Sequence, residues 1–223
     1  MKIHDLLALL LLLLGVFSCE PPVVFTEAQP DVVPSSTHFQ KTYQGIYLCT
    51  GDSATVRIGE KTIIKERHIQ FESTLDEIKE TKGIYIDGEY LYIEELDLPV
   101  PIEYLDGEIV TGSFFIADTL FQIGPEQVLK YYKGHQVLNR KLENKHWETS
   151  ILSKDKEGNL TLWTTQLPED LEQLKAITPV EDVSTPEHTR YLISPNIAEF
   201  RKLLDSKLIF EVCDYFERMD PSI

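Results

Sequence analysis

From Tyr43 onward, apolar and polar positions alternate in short runs of β-branched and aromatic residues separated by turn-forming pairs, the pattern of antiparallel sheet. Runs at 43–50, 54–58, 62–66 and 68–72 predict four strands, with Gly51-Asp52 and Gly59-Glu60 at two of the breaks. Asp87-Gly88 between runs at 83–86 and 90–94, and Asp106-Gly107 between 102–105 and 109–116, are hairpin signals. A further strand is expected at 119–123, and 74–80 reads as one or two helical turns. The period changes late in the chain. Leu171, Leu174 and Ile177 follow Pro168 at helical spacing, and Ile197, Phe200, Leu203 and Leu204 line one face of a second helix. Strands at 190–193 and 208–216 complete the reading. The expected fold is mainly β, with antiparallel sheets in a sandwich or barrel-like arrangement and two short helices near the C-terminus.

Tyr43-Gln44-Gly45-Ile46-Tyr47-Leu48 is echoed by Tyr132-Lys133-Gly134-His135-Gln136-Val137, each an aromatic, a polar residue, a glycine and then a strand. The echo suggests two related β units, 38–130 and 131–223, the second carrying the helices.

The N-terminal end has another character. Leu6 to Leu14 is eight leucines and one alanine, an apolar run shorter than the roughly 20 residues that cross a bilayer as a helix. With Lys2 before it and a small residue at its end, it reads as an export signal over 1–18. The segment closes on Val16-Phe17-Ser18-Cys19, which resembles the bacterial lipoprotein box. That resemblance implies diacylglycerol on the Cys19 thiol, cleavage before Cys19 and acylation of the new amino terminus. Three chains there would form a lasting anchor. The alternative is an ordinary signal peptide with a coincidental cysteine. Residues 19–37 hold Pro21, Pro22, Pro30 and Pro34 and no helix or strand period, which reads as a flexible tether. The alternative is a segment docked on the body through Val23, Val24 and Phe25. Taken together, the chain resembles small lipoproteins of Bacteroidota, most specifically over 1–37. This implies a cell-envelope protein held by N-terminal lipid, in the outer membrane rather than the inner.

Charge then narrows the partners. The chain has 37 acidic and 21 basic residues, a formal net charge of −16. Nucleic acid is disfavoured, because phosphate binding is driven by Lys and Arg. Removing 1–18 takes away Lys2 and Asp5 and leaves the balance unchanged, so a tethered body would stand off an anionic membrane. Cys49 and Cys213 remain as a candidate disulfide in an exported protein, or as buried free thiols.

Motifs for chemistry are sparse. Gly51-Asp52-Ser53 resembles the nucleophile block of Gly-Asp-Ser lipases and esterases, but the late Asp-x-x-His pair is missing: Thr185 stands three residues before His188. A hairpin turn is the better reading. No two histidines have zinc-pair spacing; His135 and His146 facing each other across a hairpin is the one metal arrangement left, and a solvated acidic face accounts for Glu94, Glu95, Asp97, Asp106 and Glu108. Neither a metal nor another cofactor is expected. Asp52-Ser53-Ala54 and Asp118-Thr119-Leu120 are similar to the O-glycosylation sequon of Bacteroidota, making Ser53 and Thr119 candidate acceptors. Gly45-Ile46-Tyr47 is faintly similar to the opening of lipocalin-like barrels. The expected function is a non-enzymatic, membrane-anchored module that binds an envelope protein or glycan; the alternative is a β-barrel carrier of an apolar small ligand.

Overall fold

The computed structural model describes residues 21–94 and 98–219, and they form a mainly β structure with short helices. In chain order the strands begin with β1 (Val23–Phe25), β2 (Ser35–Ser36), β3 (Gly45–Cys49), β4 (Thr55–Ile58) and β5 (Thr62–Thr74). Helix α1 (Leu75–Glu80) opens on a capping box, in which the Thr74 hydroxyl accepts the Glu77 N–H and the Glu77 carboxylate accepts the Thr74 N–H. Strands β6 (Ile84–Asp87), β7 (Tyr90–Ile93), β8 (Leu98–Leu105), β9 (Ile109–Gln122), β10 (Gln127–Tyr132), β11 (His135–Lys141), β12 (Trp147–Lys154) and β13 (Leu160–Thr165) come next. The chain continues through α2 (Leu171–Lys175), β14 (Val180–Asp182), β15 (Tyr191–Ile193), α3 (Ile197–Ser206) and β16 (Phe210–Arg218).

Two of these strands differ from the sequence reading and reset the domain organisation. The expected breaks near Arg67 and Asp118 do not occur, because neither site has a glycine or proline to end pairing; 62–74 and 109–122 are single long strands. The chain leaves one compact unit within β5 and returns within β9. Among the described residues the smaller unit is Arg67–Ala117, and the larger combines residues 21–66 with residues 118–219. The expected division at 130/131 is therefore corrected. The echo behind it is local: Lys133 and Gly134 (φ 50° and 87°) make the two-residue turn of the β10–β11 hairpin, whereas Tyr43-Gln44-Gly45 leads into β3 from a turn closed by Tyr43 N–H to Gln40 C=O.

In the larger unit the strand order is β14-β15-β1-β12-β13-β16-β3-β4-β5, with β11, β10 and β2 branching from β12. Pairing is antiparallel except between β1 and β15. The sheet is not closed into a barrel. Alternation along β11 and β12 sends Leu138 and Leu152 to an inner face with Phe39, Tyr43, Tyr47 and Phe216. Val137 and Ile151 go to the opposite face, where they meet Phe25, Phe200 and Leu203. Helices α2 and α3 cover that second face through Leu174, Phe200, Leu203 and Leu204.

The docked alternative holds for the N-terminal segment, and the tether reading of 19–37 is corrected from Pro21 onward. Val23, Val24 and Phe25 are 0% exposed and pair with Tyr191, Leu192 and Ile193. Long-range polar contacts fix residues 28–31. Lys130 Nζ donates to the carbonyls of Ala28 (2.8 Å), Pro30 (2.6 Å) and Asp31 (3.2 Å). Asn139 accepts the Gln29 N–H at 2.7 Å and donates to the Gln29 carbonyl at 2.9 Å. Prolines stop this segment from forming its own ladder, but partners a hundred residues away satisfy its carbonyls.

The smaller unit has the order β5-β9-β8-β7-β6. Both hairpin signals hold: Asp87 pairs with Tyr90 around Gly88 (φ 61°), and Leu105 pairs with Ile109 around Asp106 and Gly107. One face carries the core, with Ile69, Phe71, Leu91, Ile93, Val100, Ile102, Val110 and Phe114 packed against Ile78 of α1.

Candidate functional site

Most chemistry-bearing residues singled out in the sequence are dispersed. Cys19 lies outside the described residues. Cys49 and Cys213 are not bridged. Cys49 is buried opposite Phe216, its Sγ donating to Asp214 Oδ1 at 3.3 Å, and Cys213 lies three residues from Phe216, next to an irregularity in β16. His135 is at the start of β11 opposite Ser153, while His146 lies just after the turn at the far end of that hairpin, so the two do not face each other. Among the described residues no group of three or more His, Cys, Asp and Glu side chains could hold a metal ion; Glu95 and Asp97 lie outside them. Ser53 is exposed in the β3–β4 turn at φ 57°, and Thr119 is exposed on β9.

Asp52, in that turn, belongs to a charged cluster rather than a catalytic one. Lys65, 8% exposed, places Nζ 3.0 Å from Asp52 Oδ2 and 3.8 Å from Asp214. Burial pushes the Asp52 carboxyl up, but hydrogen bonds from Cys49, Lys65 and the Ala54 N–H outweigh it and hold the group down at about 2. A folded-state value below the unfolded one contributes stability at higher pH and loses it as the folded group is protonated. The expected result is that Asp52→Asn is less stable than wild type above about pH 4, and that the gap closes as pH falls toward about 2. Urea unfolding midpoints of both proteins across that range measure it.

The site that the fold assembles is the outer face of the smaller unit. Pairs in register lie on one face of a sheet: Tyr85 with Tyr92, Tyr92 with Pro99, Asp87 with Tyr90, and Tyr90 with Pro101. The rings of Tyr85 and Tyr92 stack at 5.1 Å and 7°. On β9 the same face carries Thr111, paired with Glu103, then Ser113 and Phe115. Phe115 stacks on His68 of β5 at 4.5 Å and 14°. Phe115 is 68% exposed, Tyr85 51% and Tyr90 45%. A solvated sheet face ordinarily carries polar side chains, so this run of rings and prolines is a departure from pattern. Beside it lies an open groove of about 700 Å³ lined by Gln70, Glu72, Pro101, Glu103, Thr111 and Ser113. The strand positions of the face include Glu72, Asp87 and Glu103, and no Lys or Arg.

The groove's floor depends on Gly112. A Cβ there would lie 2.7 Å from two ring carbons of Phe71 and 2.9 Å from the Pro101 carbonyl oxygen. Glycine lets Phe71 fill the core directly beneath β9. The sequence motifs do not single out this aromatic face. The available signal was the alternation in Tyr90-Leu91-Tyr92, which sends both tyrosines to the face opposite Leu91.

No known family model, curated protein or solved structure matches this chain.

Proposed function

We propose that this chain is a non-enzymatic, lipid-anchored protein of the bacterial cell envelope whose smaller unit binds neutral glycan across its outer face. The observation that carries the reading is the row of exposed Tyr85, half-buried Tyr92 and exposed Pro99 with the His68–Phe115 stack on the same face. Sugar rings present a flat face of polarised C–H bonds to aromatic π-systems, whose negative faces attract them. Their hydroxyls seek carboxylates and amides, which Gln70, Glu72 and Glu103 supply in the adjoining groove. A face bearing carboxylates and no Lys or Arg on its strands selects against anionic polymers, nucleic acid included. Affinity electrophoresis in gels containing neutral β-glucan or mannan tests the reading. Wild type is expected to be retarded by at least one of them. Tyr92→Ala is expected to bind about tenfold more weakly, a loss of about 1.4 kcal/mol, with its unfolding midpoint little changed. Equal retardation of both proteins, or none of wild type, contradicts it.

Anchoring rests on the similarity of residues 16–19 to the lipoprotein box. Only Glu20 separates Cys19 from Pro21, whose carbonyl accepts Arg190 Nε at 3.1 Å. A lipid on Cys19 would hold the larger unit close to the bilayer, in place of the stand-off that a free tether gives. Cys19→Ala is expected to move the protein from the membrane to the soluble fraction; a processed variant still retained in the membrane contradicts the anchor. Ser53 and Thr119 remain candidate acceptors for O-glycan.

The carrier reading has one observation on its side. Gln136 is 0% exposed on the strand face shared with Leu138, and neither end of its amide has a hydrogen-bond partner among the described residues. Against it, Phe39, Tyr43, Tyr47 and Phe216 occupy that inner face.

A further inference from the structure

The larger unit has a second concavity, on the face covered by the helices. It encloses about 240 Å³ beside the end of α3, between strands β11, β12 and β13 and the start of β16. Its polar side is His135 and Ser153, joined by a 2.9 Å hydrogen bond between Nδ1 and Oγ, together with Lys154, Asp155, Thr161 and Lys207; the Asp155 carboxylate is taken up by the backbone N–H and side-chain amide of Asn159, at 2.8 and 3.1 Å. Its apolar side is Trp163, Leu204 and Phe210. Lys207 ends α3 in a left-handed conformation (φ 55°) and folds its ammonium over Trp163, 3.4 Å from the ring centroid. Among the described residues that ammonium has no carboxylate within salt-bridge distance. The nearby Asp205 is instead taken up by Lys133 at 3.6 Å and Arg201 at 3.5 Å.

We propose that this pocket binds a small organic monoanion. Its carboxylate would lie between Lys207 and the Ser153–His135 pair, and its apolar part against Trp163, Leu204 and Phe210. The pocket is below the roughly 300–1,000 Å³ of sites for drug-sized ligands, which limits the occupant to a single ring or a short chain. Burial and the cations of Lys207 and Lys133 hold the imidazole below its ordinary value, against Asp205. A neutral His135 can accept from Ser153 through Nδ1 and leave the hydroxyl oxygen's remaining lone pairs outward, or donate through Nδ1 and free the hydroxyl proton for a carboxylate. The second tautomer suits an anion. The pair lacks the third group that orients a catalytic base: no hydrogen bond to the other ring nitrogen holds it among the described residues. Its role is therefore recognition.

The chain has two tryptophans, and Trp163 lines the pocket while Trp147 packs in the helix-covered core. Titrating the protein with benzoate and with hexanoate, and monitoring both indole N–H resonances, is the test. At least one probe is expected to shift the Trp163 signal saturably and leave Trp147 in place, benzamide is expected to shift neither, and Lys207→Met is expected to weaken binding at least tenfold while Lys207→Arg retains it. The proposal is overturned if neither anion shifts Trp163 saturably, if benzamide matches benzoate, or if Lys207→Met binds as wild type does. Unchanged β-sheet circular dichroism in Lys207→Met separates lost binding from lost fold.

Discussion

Replacing Asn139 with leucine is expected to be among the most destabilising changes in the larger unit. Asn139 is 0% exposed, and its side chain accepts from Gln29 N–H and Thr149 Oγ1 and donates to the Gln29 carbonyl. Leucine matches its size but leaves the Gln29 N–H and C=O and the Thr149 hydroxyl without their partners in a buried site. Each orphaned group costs about 1–3 kcal/mol, so a total of about 4 kcal/mol is expected. Hydrogen exchange should then show residues 26–33 losing protection ahead of β12 and β13. Lys130→Met should act in the same direction, because Lys130 Nζ is held by three carbonyls of that segment. If residues 26–33 exchange at one rate in wild type and Asn139→Leu, the segment is not held as described.

The second large effect is expected at Gly112. Valine there would set its Cβ against the Phe71 ring and the Pro101 carbonyl. The ring can turn, but the carbonyl belongs to the backbone of a paired strand. Overpacking of this kind costs about 3 kcal/mol. In Gly112→Val, limited proteolysis should open sites within 67–117, and retardation by neutral glycan should be lost with them. A variant that resists protease as wild type does would mean that β8 and β9 yield more easily than their register implies.

Legibility in the sequence tracked the range of the forces involved. Asp87-Gly88 and Asp106-Gly107 stood out because backbone conformation at glycine is a local property, and α3 because its apolar stripe of Ile197, Phe200, Leu203 and Leu204 is close in sequence. The continuity of β5 through Arg67 and of β9 through Asp118 was not legible. A polar residue in a strand looks like a break until its neighbours are known, and those two strands define the unit boundary. The N-terminal segment misled for the same reason: four prolines and no period describe a tether until Lys130 and Asn139 arrive from distant strands. The candidate site was half legible. Alternation separates Tyr90 and Tyr92 from Leu91, but the stack of Phe115 on His68 joins strands 47 residues apart in sequence, and no local signal announces it.

Oxidative footprinting of the protein, with and without a saturating neutral oligosaccharide, tests the central claim most directly. Protection is expected at His68, Tyr85, Tyr92 and Phe115, with no change at Tyr104, whose strand position faces the other way, or at Tyr131 in the larger unit. Protection at Tyr104 or Tyr131 without protection of the Tyr85–Tyr92 pair and Phe115 would contradict the assignment of the glycan site to this face.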